Sequence, residues 1–250
     1  MLGGIHTSIL TTVNVLLDLL SSPSELAYYS RLREEADGVF AKSEDWENQA
    51  YLGKLIHTDS AIRESLRRSP VIAKTGLREV IEKDGLILPD GQKVPKGAWL
   101  AVPSVRVHYD DRFYPRAESY EPFRFVPDSA KDRAEVEVAT VNENSAERDS
   151  TLAKKRKYPS LSTASETYLA FGYGRHSWYV FSRECAEAPL RLTFASPGRW
   201  FVALQLKLLL AYVVSHYDFE PLEHRPPNRT FGGHIIPRAV TVKVRRRKGY

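Results

Sequence analysis

The chain is poor in sulfur, with one cysteine, Cys185, and one methionine, Met1, among 250 residues. A lone cysteine excludes an intrachain disulfide framework and fits a reducing compartment. Long uninterrupted apolar runs are also missing. The most apolar stretch, Trp200 to Val214, is broken by Gln205 and Lys207. It falls short of the roughly 18 residues that mark a membrane span and reads as a core helix. Residues 1–20 lack a basic start and hold His6, Asn14 and Asp18, so they do not read as a secretory leader. There is no internal repeat. Charge is not one-sided either: 36 basic residues face 31 acidic ones, a net charge of +5. Much of the excess sits in Lys154-Lys155-Arg156-Lys157 and Arg245-Arg246-Arg247-Lys248. Such runs serve as localisation or nucleic-acid patches, or simply as a solvated loop and a solvated chain end. The second reading is favoured, so no nucleic-acid partner is expected. With 42% hydrophobic and 27% charged residues the remainder is ordinary globular composition, long enough to bury a core.

Ile5 to Leu20 has the spacing of a helix. Ser22 then suits an N-cap, Pro23 a first helical position and Glu25 the reciprocal capping-box partner, opening a polar helix to about Ala36. Leu52 to Arg68 is a third helix, stopped by Ser69-Pro70. From Val71 to Val102 short β-prone runs (Val71–Ala73, Leu86–Leu88, Trp99–Val102) alternate with turns, Pro89-Asp90-Gly91 being one with a mechanism. A small antiparallel sheet is expected there, followed by an aromatic, proline-rich meander over Tyr109–Pro127. Residues 128–163, poor in large apolar side chains, read as a variable surface loop. Val240, Val242 and Val244 alternate with polar residues and predict a half-exposed terminal strand.

Five groups of residues carry candidate chemistry, in this order: Gly3-Gly4-Ile5-His6-Thr7-Ser8; Glu64-Ser65-Leu66-Arg67 on a helix; Pro122-Phe123-Arg124-Phe125; Phe171-Gly172-Tyr173-Gly174-Arg175-His176-Ser177; and Pro197-Gly198-Arg199. Glu64 and Arg67, three apart, share a helix face and can pair. Trp178 follows the glycine loop directly, and the text resumes at Pro197. Joined across 178–196 through a cysteine, the last two groups would read Phe-Gly-Tyr-Gly-Arg-His-Ser-Cys-Pro-Gly-Arg. That resembles the haem-thiolate loop of cytochrome P450 monooxygenases, and the other groups resemble that family's motifs in the family's order.

The resemblance implies a mainly α fold with small antiparallel β-sheets, present here as one partial domain over 1–250. It implies a haem b cofactor, an NADPH-dependent reductase as electron donor and a lipophilic small-molecule substrate. Thr7 would take the oxygen-activating position, with His6 replacing the usual acid. Glu64, Arg67 and Arg124 would form a buried network, with Phe123 standing where an acid is usual. Phe171, Gly172, Gly174, Arg175, His176, Pro197, Gly198 and Arg199 would cradle the haem. His108 resembles a second propionate contact; a surface-loop histidine is the equal alternative. The family is typically anchored in the endoplasmic-reticulum membrane, and no such anchor is seen in this sequence. The run Gln205 to Tyr212 with Arg225-Pro226-Pro227-Asn228 looks like fungal enzymes of terpenoid and related secondary metabolism.

Trp178 stands at the axial cysteine position and cannot replace it, because indole offers a donor N–H and no ligand lone pair. Cys185 lies between Glu184 and Glu187, whose charges oppose thiolate formation. Residues 178–196 therefore read as an insert in the haem loop. Trp178-Tyr179-Val180 forces the codons TG-GTAYGT, half a cysteine codon followed by a fungal splice donor. Leu192-Thr193 permits the branch sequence CTRAC, and Ser196 permits AGY, whose last base completes the cysteine codon in frame. A translated intron is the expectation, and with it an impaired catalyst or a non-catalytic remnant as the chain is written.

Overall fold

The computed structural model describes residues 2–127, 159–173 and 198–248. Five α-helices are found among them: α1 (Leu2–Leu20), α2 (Tyr28–Val39), α3 (Ile56–Arg68), α4 (Ser104–His108) and α5 (Gly198–His216). Ser8, Thr11, Val15, Asp18 and Leu19 of α1 are buried three to four residues apart, so one helix face meets the core. α1 and α2 both pack on α3 and α5. Between them lies one apolar cluster that includes Val15, Leu32, Leu55, Ile62, Leu66, Leu161, Tyr168, Leu206 and Leu210.

The strands are short and peripheral. β1 (Thr75–Glu79) pairs antiparallel with β4 (Trp99–Val102), and β2 (Leu86–Ile87) with β3 (Lys93–Val94). Pro89-Asp90-Gly91 makes the expected turn: Gly91 has φ +85°, its N–H reaches Leu88 O at 2.8 Å, and Asp90 Oδ1 accepts from Gln92 N at 3.0 Å. Gly85 is required as glycine, because at φ +78° a Cβ would stand 2.3 Å from Val94 O. β5 (Tyr217–Phe219) pairs with β8 (Val244–Arg246), and β6 (Arg229–Phe231) with β7 (His234–Ile236). The result is mainly α with small antiparallel sheets.

Several local expectations shift. Ser22 does not cap forward; its Oγ donates back to Asp18 O at 2.7 Å, closing α1. The chain then makes a 3-10 turn (Ser24–Leu26) and passes through left-handed Ala27 (φ 50°) before α2 begins, so Pro23 and Glu25 precede that helix. The helix expected over 52–68 is split: a 3-10 segment (Gln49–Lys54) precedes non-helical Leu55, and α3 starts at Ile56. No local side chain caps α3. Glu35 of α2 does so instead, accepting from His57 N at 2.7 Å, Thr58 N at 2.8 Å and Thr58 Oγ1 at 2.7 Å.

Val71–Ala73 do not join the sheet that follows them. They bond the β6–β7 hairpin, through Ile235 N to Val71 O at 3.0 Å and Ala73 N to Gly233 O at 2.8 Å. Only Val244 of the three alternating valines lies in a strand, and it is exposed. The surface-loop reading of 128–163 needs a new boundary. Residues 128–158 lie outside the described residues, but Ser160, Leu161 and Ser162 are buried, Leu161 completely.

Candidate functional site

α3 is a polar helix, yet every side chain from Thr58 through Arg67 is buried. Such a helix can be buried only if each polar group finds a partner. Glu64 is fully buried and receives Arg67 in a bidentate pair, Nε to Oε2 at 2.8 Å and Nη2 to Oε1 at 2.8 Å. Oε1 also accepts from Arg124 Nε at 3.2 Å and from Glu121 N at 3.2 Å. Arg67 spends its remaining donors on the carbonyls of His108 and of Ala117, the latter at 2.8 Å. Arg124 reaches Pro115 O at 2.7 Å. The three residues singled out by spacing therefore meet, and they clamp the Ala117–Phe125 meander to α3. Phe123 packs edge-on against Tyr28 and His57 instead of adding a charge.

His108 is not a surface histidine, since its exposure is 0%. Its Nδ1 donates to Arg67 O at 2.8 Å and its Nε2 accepts from Leu169 N at 2.7 Å. That pattern sets a neutral ring, because a proton on Nε2 would face another N–H. Burial first, then the charges of Arg67 and Arg63, push its pKa down to about 4. Both ring nitrogens are thus engaged with backbone. In this structure the ring braces α3 and α4 to residues 160–173.

Asp59 and Arg63 extend the network and were not read from the sequence. Arg63 donates to the carbonyls of Ser160 and of Thr163, the latter at 2.8 Å, and its guanidinium lies 3.6 Å from the Tyr168 ring centre. Asp59 accepts from Leu161 N at 2.7 Å and pairs with Lys207 Nζ of α5 at 3.1 Å. Asp59, Arg63 and Arg67 recur every fourth residue, a charged helix face, which is the signal that marks them. A second cluster joins Asp18 to Arg68 at 3.2 Å and to Arg225, whose Nη2 also reaches Asn14 Oδ1 at 2.7 Å. It ties α1 to α3 and to the segment after α5.

The 160–173 segment leads into the glycine loop. Phe171 is buried, and Gly172 takes φ +73°. Gly174, Arg175, His176, Trp178, Cys185 and Pro197 lie outside the described residues. The chain is described again at Gly198, the first residue of α5, where Arg199 is buried with its guanidinium 4.4 Å from the Trp200 ring centre. On α1, His6 is exposed and Thr7 half-buried, with Thr7 O accepting from Thr11 Oγ1 at 2.8 Å. α1 and α5 touch there, Ser8 Oγ donating to Gln205 Oε1 at 3.0 Å.

The Arg245–Lys248 run is a brace more than a free patch: Arg245 pairs with Asp218 at 3.1 Å and Arg247 with Asp37 at 2.8 Å. The Lys154–Lys157 run lies outside the described residues. α5 is long and apolar enough to cross a membrane, but half of it is buried among α1, α2 and α3.

Trp178 stands at the expected axial cysteine position, and the chain's one cysteine, Cys185, lies outside the described residues. Trp178 offers no lone pair, and His108 has both nitrogens engaged. Among the described residues no group of three or more His, Cys, Asp or Glu side chains could hold a metal ion.

The Cytochrome P450 family model matches residues 1–177. The chain is 39% identical over 236 residues to Cytochrome P450 monooxygenase polB of Polytolypa hystricis, covering 94% of this chain and 39% of that protein. It is 41% identical over 227 residues to Cytochrome P450 monooxygenase lnaC of Aspergillus flavus, covering 91% and 36%. Against Cytochrome P450 monooxygenase fsoD of Humicola fuscoatra it is 36% identical over 252 residues, covering 98% and 40%. The chain thus spans about two fifths of the length of these curated relatives. With the family model following most of it and such relatives aligned to nearly all of it, the chain belongs to the cytochrome P450 family.

Proposed function

We propose that this chain derives from a haem-dependent monooxygenase and, as written, is a catalytically impaired form of it. The parent reaction inserts one atom of O2 into a C–H bond of a lipophilic substrate. The other atom leaves as water, with two electrons drawn from NADPH through a reductase and two protons, one from NADPH and one from solvent. A terpenoid or related secondary metabolite is the substrate class we favour, from the Gln205–Tyr212 and Arg225–Asn228 runs. The observation that carries the reading is the break in the loop. The family model follows the chain to residue 177, and the next residue is Trp178 where the family needs a thiolate.

The described residues keep the supporting frame. Glu64, Arg67 and Arg124 hold the meander, while Arg63 and His108 hold the segment that leads to Gly172. What is missing is the ligand itself. A translated intron accounts for this: with Ser196 encoded AGY, removing the bases from the third position of the Trp178 codon through that AG leaves a single cysteine codon, followed by Pro197-Gly198-Arg199. A non-catalytic remnant is the second reading, favoured by the same tryptophan.

Transcript sequencing separates the two. If every message carries the insert, the intron reading fails. For the protein, the 250-residue chain is expected to show no thiolate-type Soret band after reduction under carbon monoxide. A variant with 178–196 replaced by one cysteine is expected to take up more haem. A thiolate band from the unaltered chain would overturn the proposal.

A further inference from the structure

A cavity of about 450 Å³ opens between the end of α3, α4 and the β6–β7 hairpin, and none of its lining residues belongs to the expected haem cradle. Three arginines line it: Arg68 at the end of α3, Arg106 on α4 and Arg225 from the segment after α5. Arg225 is fully committed. It reaches Asp18 through Nε, Asn14 Oδ1 at 2.7 Å through Nη2, and Pro226 O at 2.6 Å and Asn228 Oδ1 at 3.2 Å through Nη1. It supplies charge to the cavity and no spare donor. Arg68 is committed in part: Nη1 donates to Asp18 Oδ1 and Nη2 to Glu118 O, each at 3.2 Å, while its buried Nε has no partner among the described residues. Arg106 is exposed, and its guanidinium makes no hydrogen bond or ion pair among the described residues. Two hydroxyls add to these donors. Ser69 Oγ accepts from Asn228 Nδ2 at 2.9 Å and lies 3.5 Å from Arg225 Nη2, so its own O–H is left to donate. Thr230 lines the same space from β6.

We infer that this cavity binds the phosphate group of a small organic molecule. Three guanidiniums stand against one carboxylate in the wall, Glu118, and the buried Asp18 that Arg68 and Arg225 share, which leaves an excess of positive charge. The unspent donors come from α3, α4 and β6. That spread suits a tetrahedral group with three terminal oxygens better than a planar carboxylate, which a single guanidinium fork already matches. The cavity is also larger than a phosphate ion requires. Val105, Ile235 and the Tyr109 ring, whose hydroxyl is fixed on Arg68 O at 3.0 Å, give the rest of such a molecule an apolar wall.

The test is isothermal titration calorimetry of the 250-residue chain with phenyl phosphate, inorganic phosphate and benzoate, each against sodium chloride at matched ionic strength. Phenyl phosphate should bind more tightly than inorganic phosphate, and benzoate more weakly than either. Arg106→Gln should weaken phenyl phosphate about tenfold, through loss of a charge-assisted donor. Glu118→Gln should tighten it, by removing the one carboxylate in the wall. Arg78→Gln, at an exposed arginine outside the cavity, should leave the affinity unchanged. Circular dichroism of each variant verifies that the helices persist. The proposal is overturned if phenyl phosphate gives no heat beyond the chloride control, or if inorganic phosphate or benzoate binds as tightly. It is equally overturned if Arg106→Gln binds like the unaltered chain, if Arg78→Gln weakens binding as much as Arg106→Gln does, or if Glu118→Gln fails to tighten it.

Discussion

Glu64 is the residue whose loss should cost most. It is the shared carboxylate for two arginines, and both its oxygens are inside the protein. Glu64→Gln keeps the shape but leaves the Arg67 guanidinium buried without its counter-charge. A loss of about 3–5 kcal/mol follows, read as a lower urea midpoint. An unchanged midpoint would refute the network's importance.

His108 makes a prediction of opposite chemistry, since there the charged form is excluded. The unfolded ring titrates near 6.5 and the folded one near 4, so between those values only the unfolded chain gains the proton. Its contribution is intact above pH 6.5 and shrinks as pH falls toward 4, by about 3 kcal/mol in all. Urea unfolding at pH 7.5 and pH 5 should show the slope, and His108→Gln should flatten it. Equal slopes in the two proteins would count against the assignment.

Among the elements, α3 shows best how far local sequence reaches. Its C-terminal stop at Ser69-Pro70 and its Glu64–Arg67 pair follow from spacing alone. Its start does not, because the cap comes from Glu35 on another helix. Glu35→Ala should therefore destabilise the protein by about 1–2 kcal/mol. The His57 and Thr58 amides should then exchange faster with solvent than the middle of α3; unaltered exchange would contradict the cap. α5 is the counterpart. Its apolar sequence predicts a core helix, whereas the fold buries one side and leaves the other partly exposed. Lys207, which interrupts the apolar run in sequence, is the charge that the core accommodates, because Asp59 waits for it.

At the scale of the molecule, α1, α2, α3 and α5 share a core, and among the described residues four two-stranded sheets sit around it. The half-exposed α1–α5 face and the sequence between Ser177 and Pro197 are separate features of the chain. Replacing 178–196 by one cysteine addresses the loop alone. The replacement is therefore expected to improve haem uptake while leaving Phe201 and Leu208 as exposed as before.

The amino-acid order by itself determined the family, the succession of elements, the Glu64–Arg67–Arg124 trio and the tryptophan at position 178. Each of these rests on residue type and short spacing, which a linear text preserves. Only the tertiary structure decided that polar α3 lies at the centre, that Arg63 and His108 brace the approach to Gly172, and which side of α5 stays open. Those outcomes depend on carbonyls and carboxylates delivered from distant segments, at His108, Ala117, Thr163 and Asp59. A buried charge is stable only where such partners converge, and convergence is a property of the folded chain.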